Sequence, residues 1–110
     1  MNTCISYEYR DAENYKTFKD VIIQGTLHLN EIKPYFHEEE FFIPSEVGLK
    51  DLQPESFTPV DHIWHCVNEI SGTDAESGIA MTASILINKF KLAKESHWNE
   101  FEVFKKKGLL

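Results

Sequence analysis

The densest collection of chemistry-bearing side chains is Asp61-His62-Ile63-Trp64-His65-Cys66, where a carboxylate, two imidazoles and a thiol fall within six residues. All four side chains are metal-ligand types. On a helix, His62 and His65 would share a face at i, i+3 and could hold one ion. On a strand they would point to opposite faces, leaving His62 on the same side as Cys66. Together with Asp61 or Glu69, the two histidines would suit a small metal-assisted hydrolase in which the ion activates water. No HExxH and no second Cys/His pair at zinc-finger spacing accompanies them. The competing reading puts Trp64 and Cys66 in the core and gives the histidines ordinary hydrogen bonds.

The run His37-Glu38-Glu39-Glu40 could hold a hard cation or serve acid–base chemistry. It also suits a solvated flank beside the apolar Phe41-Phe42, and EF-hand spacing is absent. Serines occupy no G-x-S-x-G elbow, and the sequence adjacency of His65 and Cys66 does not itself bring imidazole and thiol together. The five glycines show neither P-loop nor dinucleotide-fold spacing. No cofactor is expected.

A second cluster, Tyr9, Arg10, Asp11, Asn14, Tyr15 and Lys16, is rich in the types that dominate protein interfaces. Its alternative role is structural, with Arg10 and Asp11 pinning a turn while the tyrosines pack. With Trp64 as a further aromatic, this cluster leads to the expectation of a non-enzymatic protein-interaction module that binds a protein partner or a second copy of itself. The metal-binding protein is the alternative.

These residues need elements to position them. Ile5, Tyr7 and Tyr9 alternate with polar residues, predicting a strand over 4–10. Asp11 to Asn14 supply turn chemistry, and a β-branched strand over 18–24 ends at Gly25, so an antiparallel hairpin is expected. A short helix from Asn30 would hold Pro34 in its first turn. Phe41-Phe42-Ile43 reads as a buried strand closed by Pro44 and leading into a turn at Val47-Gly48-Leu49, and Lys50 to Pro59 as loop. Thr58 to Ile70 fits a helix capped by Thr58 with Pro59 following, and equally a strand. Ile79, Ala83, Leu86, Phe90 and Ala93 predict a helix over 77–94. Ser96 would start another, with Trp98, Phe101 and Phe104 repeating every third residue, Lys105 to Lys107 in its last turn and Gly108 as its cap. The sum is one α+β domain over residues 1–110, a small, mainly antiparallel sheet of the N-terminal hairpin plus one or two further strands, packed against C-terminal helices.

A length of 110 residues suits one domain, and 42% hydrophobic residues suit a globular one. A net charge of −7 argues against nucleic acid and anionic lipid as partners. The apolar runs are too short to span a bilayer. Two cysteines make no disulfide framework, and no charged-then-apolar leader or lipidation motif is seen, so a cytoplasmic location with reduced thiols is expected.

Tyr9-Arg10-Asp11-Ala12-x-Asn14-Tyr15-Lys16, Glu40-Phe41-Phe42-Ile43-Pro44-x-x-Val47-Gly48-Leu49 and Asp61-His62-x-Trp64-His65 together resemble a group of small uncharacterised bacterial proteins with no established activity. The resemblance spans most of the chain and implies a compact cytoplasmic bacterial domain, with residues 62–70 extended. It carries over no catalytic residue, and Pro34 departs from the group's more regular first helix.

Overall fold

The computed structural model describes residues 1–53 and 62–106. In β1, Asn2–Arg10, the side chains of Thr3, Ile5, Tyr7 and Tyr9 are buried and those between them are not, as period-2 alternation dictates. β2, Lys16–Ile23, pairs antiparallel with β1 from Thr3↔Ile23 to Arg10↔Lys16. The turn between them is built by Asp11 and Asn14. Asp11 Oδ1 accepts the backbone N–H groups of Glu13 at 2.9 Å and Tyr15 at 3.0 Å, and Asn14 takes a left-handed φ of 69°.

β3, Phe41–Phe42, and β4, His65–Thr73, complete a four-stranded sheet in the order β2-β1-β4-β3, with every pair antiparallel. Residues 65–70 are thus strand, and the Thr58 and Pro59 of the helical alternative lie outside the described residues. The β1–β4 register passes from Ser6↔Glu69 to Tyr7↔Val67, so Asn68 is the extra residue of a bulge.

Several expected elements are corrected. The helix from Asn30 is replaced by two 3₁₀ turns, Leu29–Glu31 and Lys33–Tyr35. A continuous α-helix there would need an N–H at position 34 to reach the carbonyl of Asn30, and Pro34 has none. The strand at Phe41 stops after two residues, and Pro44–Val47 forms a 3₁₀ turn ended by Gly48 at φ 81°. The long helix begins at Ala83, not Ser77: α1 spans Ala83–Glu95, and Thr82 caps it by accepting the Ile85 N–H at 3.1 Å. Backbone groups before it serve the end of β2 instead. Gly78 donates to the Ile22 carbonyl at 3.3 Å, and Gln24 donates to that of Met81 at 2.8 Å. The last helix, α2, spans Glu100–Lys106 and follows three left-handed residues, His97, Trp98 and Asn99. Trp98 therefore does not share a helical stripe with Phe101. It is buried and donates to the Tyr35 carbonyl at 3.1 Å, whereas Phe101 is exposed. Lys107 and Gly108 lie outside the described residues.

The core is a chain of edge-on and tilted rings. Tyr7 meets Phe42, Phe42 meets Phe90 of α1, and Phe90 meets Trp98, each pair at 5.6 Å between centroids. Among the described residues no helix is long and apolar enough to cross a membrane.

Candidate functional site

The His62 and His65 imidazoles both bond to backbone groups. His65 is buried; its Nε2 accepts the Leu52 N–H at 3.0 Å and its Nδ1 donates to the Ile63 carbonyl at 3.2 Å. In His62, Nδ1 accepts the Trp64 N–H at 3.0 Å and Nε2 donates to the Arg10 carbonyl at 2.6 Å. An amide N–H can only donate and a carbonyl can only accept, so these partners fix each tautomer. A neutral imidazole has one in-plane lone pair, and in both rings a backbone N–H occupies it. Both rings also pack on Tyr9, at 5.1 Å and 5.3 Å. The two rings of the metal reading are thus bonded to backbone groups through both nitrogens. Glu69 is exposed on β4, Asp61 lies outside the described residues, and no group of three or more potential ligands among the described residues could hold an ion.

The hairpin cluster divides. Tyr9 is a core residue rather than a contact residue: it is 3% exposed, and its hydroxyl accepts the His62 N–H at 3.2 Å. Asp11 and Asn14 form the turn. Arg10 and Tyr15 are on the surface, and Trp64 is half-buried, stacked on His37 with centroids 4.1 Å apart and an 8° interplanar angle.

The arrangement that local sequence patterns did not reveal lies on the outer face of the sheet, opposite the aromatic core. Cross-strand pairing sets Glu8 beside Cys66 and Cys66 beside Phe41. There they line a depression of about 570 Å³ together with Arg10, Glu40 and Trp64. The acidic run is a tight turn, with Glu38 and Glu39 at φ 52° and 65°, closed by the Phe41 N–H donating to the His37 carbonyl at 2.9 Å. It brings Glu40 to the depression and leaves Glu38 and Glu39 exposed.

Within the depression Glu8 Oε2 is shielded from solvent and has no hydrogen-bond partner. Arg10 Nη2 stands 3.8 Å away, beyond hydrogen-bond range, on a side chain that is 53% exposed. The Cys66 thiol is pushed up to about 11, chiefly by burial, further by the charges of Glu40 and Glu8, with Arg10 opposing. At neutral pH it is a protonated thiol and a poor nucleophile. His65, its neighbour in sequence, points to the other face of β4, so thiol and imidazole form no pair. An unpaired carboxylate oxygen in a depression lined by Phe41 and Trp64 is suited to receiving a cation.

No family model, curated protein or solved structure matches the chain.

Proposed function

We propose that the chain is a non-enzymatic, cytoplasmic protein-interaction module whose outer-face depression takes an arginine or lysine side chain from a protein partner. The observation that carries this reading is Glu8 Oε2, a buried acceptor without a donor. Leaving such an atom unpaired costs about 1–3 kcal/mol, a deficit that an incoming guanidinium or ammonium removes once the Glu8 carboxylate, on a side chain 13% exposed, turns Oε2 toward it. Arginine suits the site better, because its plane can stack on Trp64 while its fork reaches the carboxylate. The net charge of −7 favours approach of a cationic partner. A protonated Cys66 thiol and imidazoles committed to backbone groups support a binding role over a catalytic one. In this reading the C-terminal helices close the inner face of the sheet through Phe90, and the outer face is the one left for partners.

Calorimetric titration with N-acetyl-arginine amide as the probe tests this. Saturable binding to the wild-type chain that is lost in Glu8→Gln is expected. Absence of binding, or equal binding by Glu8→Gln, overturns the reading.

A further inference from the structure

β2 is an edge strand, and among the described residues half of that edge has no backbone partner. Its even-numbered residues direct backbone N–H and C=O groups away from β1: the Ile22 carbonyl accepts from Gly78 and Ser77, and Gln24 exchanges bonds with Met81 and Ala83. Those contacts cover the C-terminal end of β2. Lys16, Phe18 and Asp20 have the same orientation, yet residues 16–20 are all exposed, with Phe18 at 62%. An uncovered edge with an exposed aromatic at its centre is a template for another strand.

The sequence of this stretch, Lys16-Thr17-Phe18-Lys19-Asp20, identifies which strand. We infer that the chain forms a two-fold dimer in which the β2 edges of two copies pair antiparallel about Phe18, joining their sheets into one. This goes beyond the Glu8 reading, which concerns the outer-face depression, and assigns the β2 edge to a second copy. In that register Phe18 faces Phe18, and Lys16 of each copy faces Asp20 of the other on the outer face of the sheet. Thr17 faces Lys19 on the other side. The facing even-numbered residues are hydrogen-bonded pairs, giving about six backbone bonds across the axis. Asp20 already accepts from Ser6 Oγ at 2.6 Å through one carboxylate oxygen, which steadies it and leaves the other for the lysine.

Neighbouring two-fold registers lose this match. Shifting the axis to Thr17 sets Lys16 against Phe18, and shifting it to Lys19 sets Lys16 against Ile22, whose carbonyl is taken. The Phe18 register ends at Asp20, where the cover from Ser77 and Gly78 begins. Lysines on an edge normally discourage pairing. Here Lys16 selects one orientation, because an isologous interface requires a surface complementary to itself.

Native mass spectrometry and sedimentation of the full-length chain test the inference with two charge variants. Wild type is expected to be dimeric. Lys16→Asp alone and Asp20→Lys alone each set like charges opposite and should raise the dimer dissociation constant at least about tenfold. An equimolar mixture of the two variants should form a heterodimer, since each then supplies what the other lacks, and that recovery also shows that both fold. Phe18→Cys in a Cys4→Ser/Cys66→Ser background should give a covalent dimer on oxidation, the facing Cα atoms lying within disulfide reach. A monomeric wild type, or variants that dimerise as well alone as mixed, overturns the inference. Binding of N-acetyl-arginine amide by a monomeric wild type leaves the Glu8 reading standing, so the two failures are distinguishable.

Discussion

His65 Nε2 accepts the backbone N–H of Leu52 at 3.0 Å, so a buried ring on β4 holds the segment that leaves the 3₁₀ turn after β3. The opposite ring nitrogen is spent on the Ile63 carbonyl. His65→Ala leaves both backbone groups without their partner and opens a cavity beside Tyr7, Tyr9 and Phe42, whose rings lie within 6.3 Å of the imidazole. The expected loss is about 3 kcal/mol. Hydrogen exchange of the Leu52 amide should accelerate in the variant more than that of the β1 amides; unchanged exchange at Leu52 would contradict the tether.

Tyr7 carries a second buried tether, its hydroxyl donating to the Lys50 carbonyl at 2.7 Å. Tyr7→Phe should cost about 1 kcal/mol at neutral pH. Burial, reinforced by Asp51 and partly offset by the bond to Lys50, pushes the phenol from 10.0 up to about 12. The folded state therefore binds this proton more tightly than the unfolded chain does. Its contribution is complete below pH 10.0 and is lost as pH rises through about 12. Cys66 acts with the same sign between 9.0 and about 11. Urea midpoints of wild type should fall across this alkaline range and those of Tyr7→Phe should fall less; parallel curves would count against the assignment.

The raised Cys66 thiol has a kinetic consequence. In a Cys4→Ser background, reaction with an aromatic disulfide reagent at pH 7.5 should be about tenfold slower than that of a simple thiol, the loss of thiolate being partly offset by the greater nucleophilicity of a more basic one. Glu8→Gln should speed it by removing a repelling charge, and Arg10→Gln should slow it. The opposite order for the two variants would show that Glu8 and Arg10 do not act on Cys66 as placed.

Two turns should respond in opposite directions to substitutions involving glycine. Glu39 sits at φ 65° without needing a side chain for the turn, so Glu39→Gly should stabilise the chain by about 1 kcal/mol in thermal melts. Gly48 holds φ 81°, and a Cβ there would lie 2.8 Å from Met81 Cε, so Gly48→Ala should destabilise by about 1–2 kcal/mol. Equal melting temperatures for the two variants would refute the contrast.

The hairpin was legible because alternation in β1 and Asp–Asn turn chemistry are local signals. β4 was ambiguous for a physical reason: the bulge at Asn68 stretches the spacing between Val67 and Ile70 to three, and with Ile63 this imitates a helical face. Ile79 fits the helical pattern and so extends the predicted helix N-terminally, while the backbone from Gly78 onward is engaged with β2 and α1 starts only at Ala83. At the site, residue types alone suggested a metal at His62 and His65. The backbone partners that occupy those rings come from Leu52, Trp64, Ile63 and Arg10, which no spacing rule reveals. Glu8 read as one polar member of an alternating strand; its position beside Cys66 follows from cross-strand register, a non-local quantity.

The central claim is that the outer-face depression binds a cationic side chain through Glu8. The most direct measurement is a ¹⁵N chemical-shift titration of the full-length chain with N-acetyl-arginine amide. Saturable shifts at the amides of Glu8, Arg10 and Cys66 and at the Trp64 indole, with the buried Trp98 indole unmoved, are the expected result. No shift, or shifts confined to acidic residues elsewhere such as Asp74 and Glu76, would contradict it.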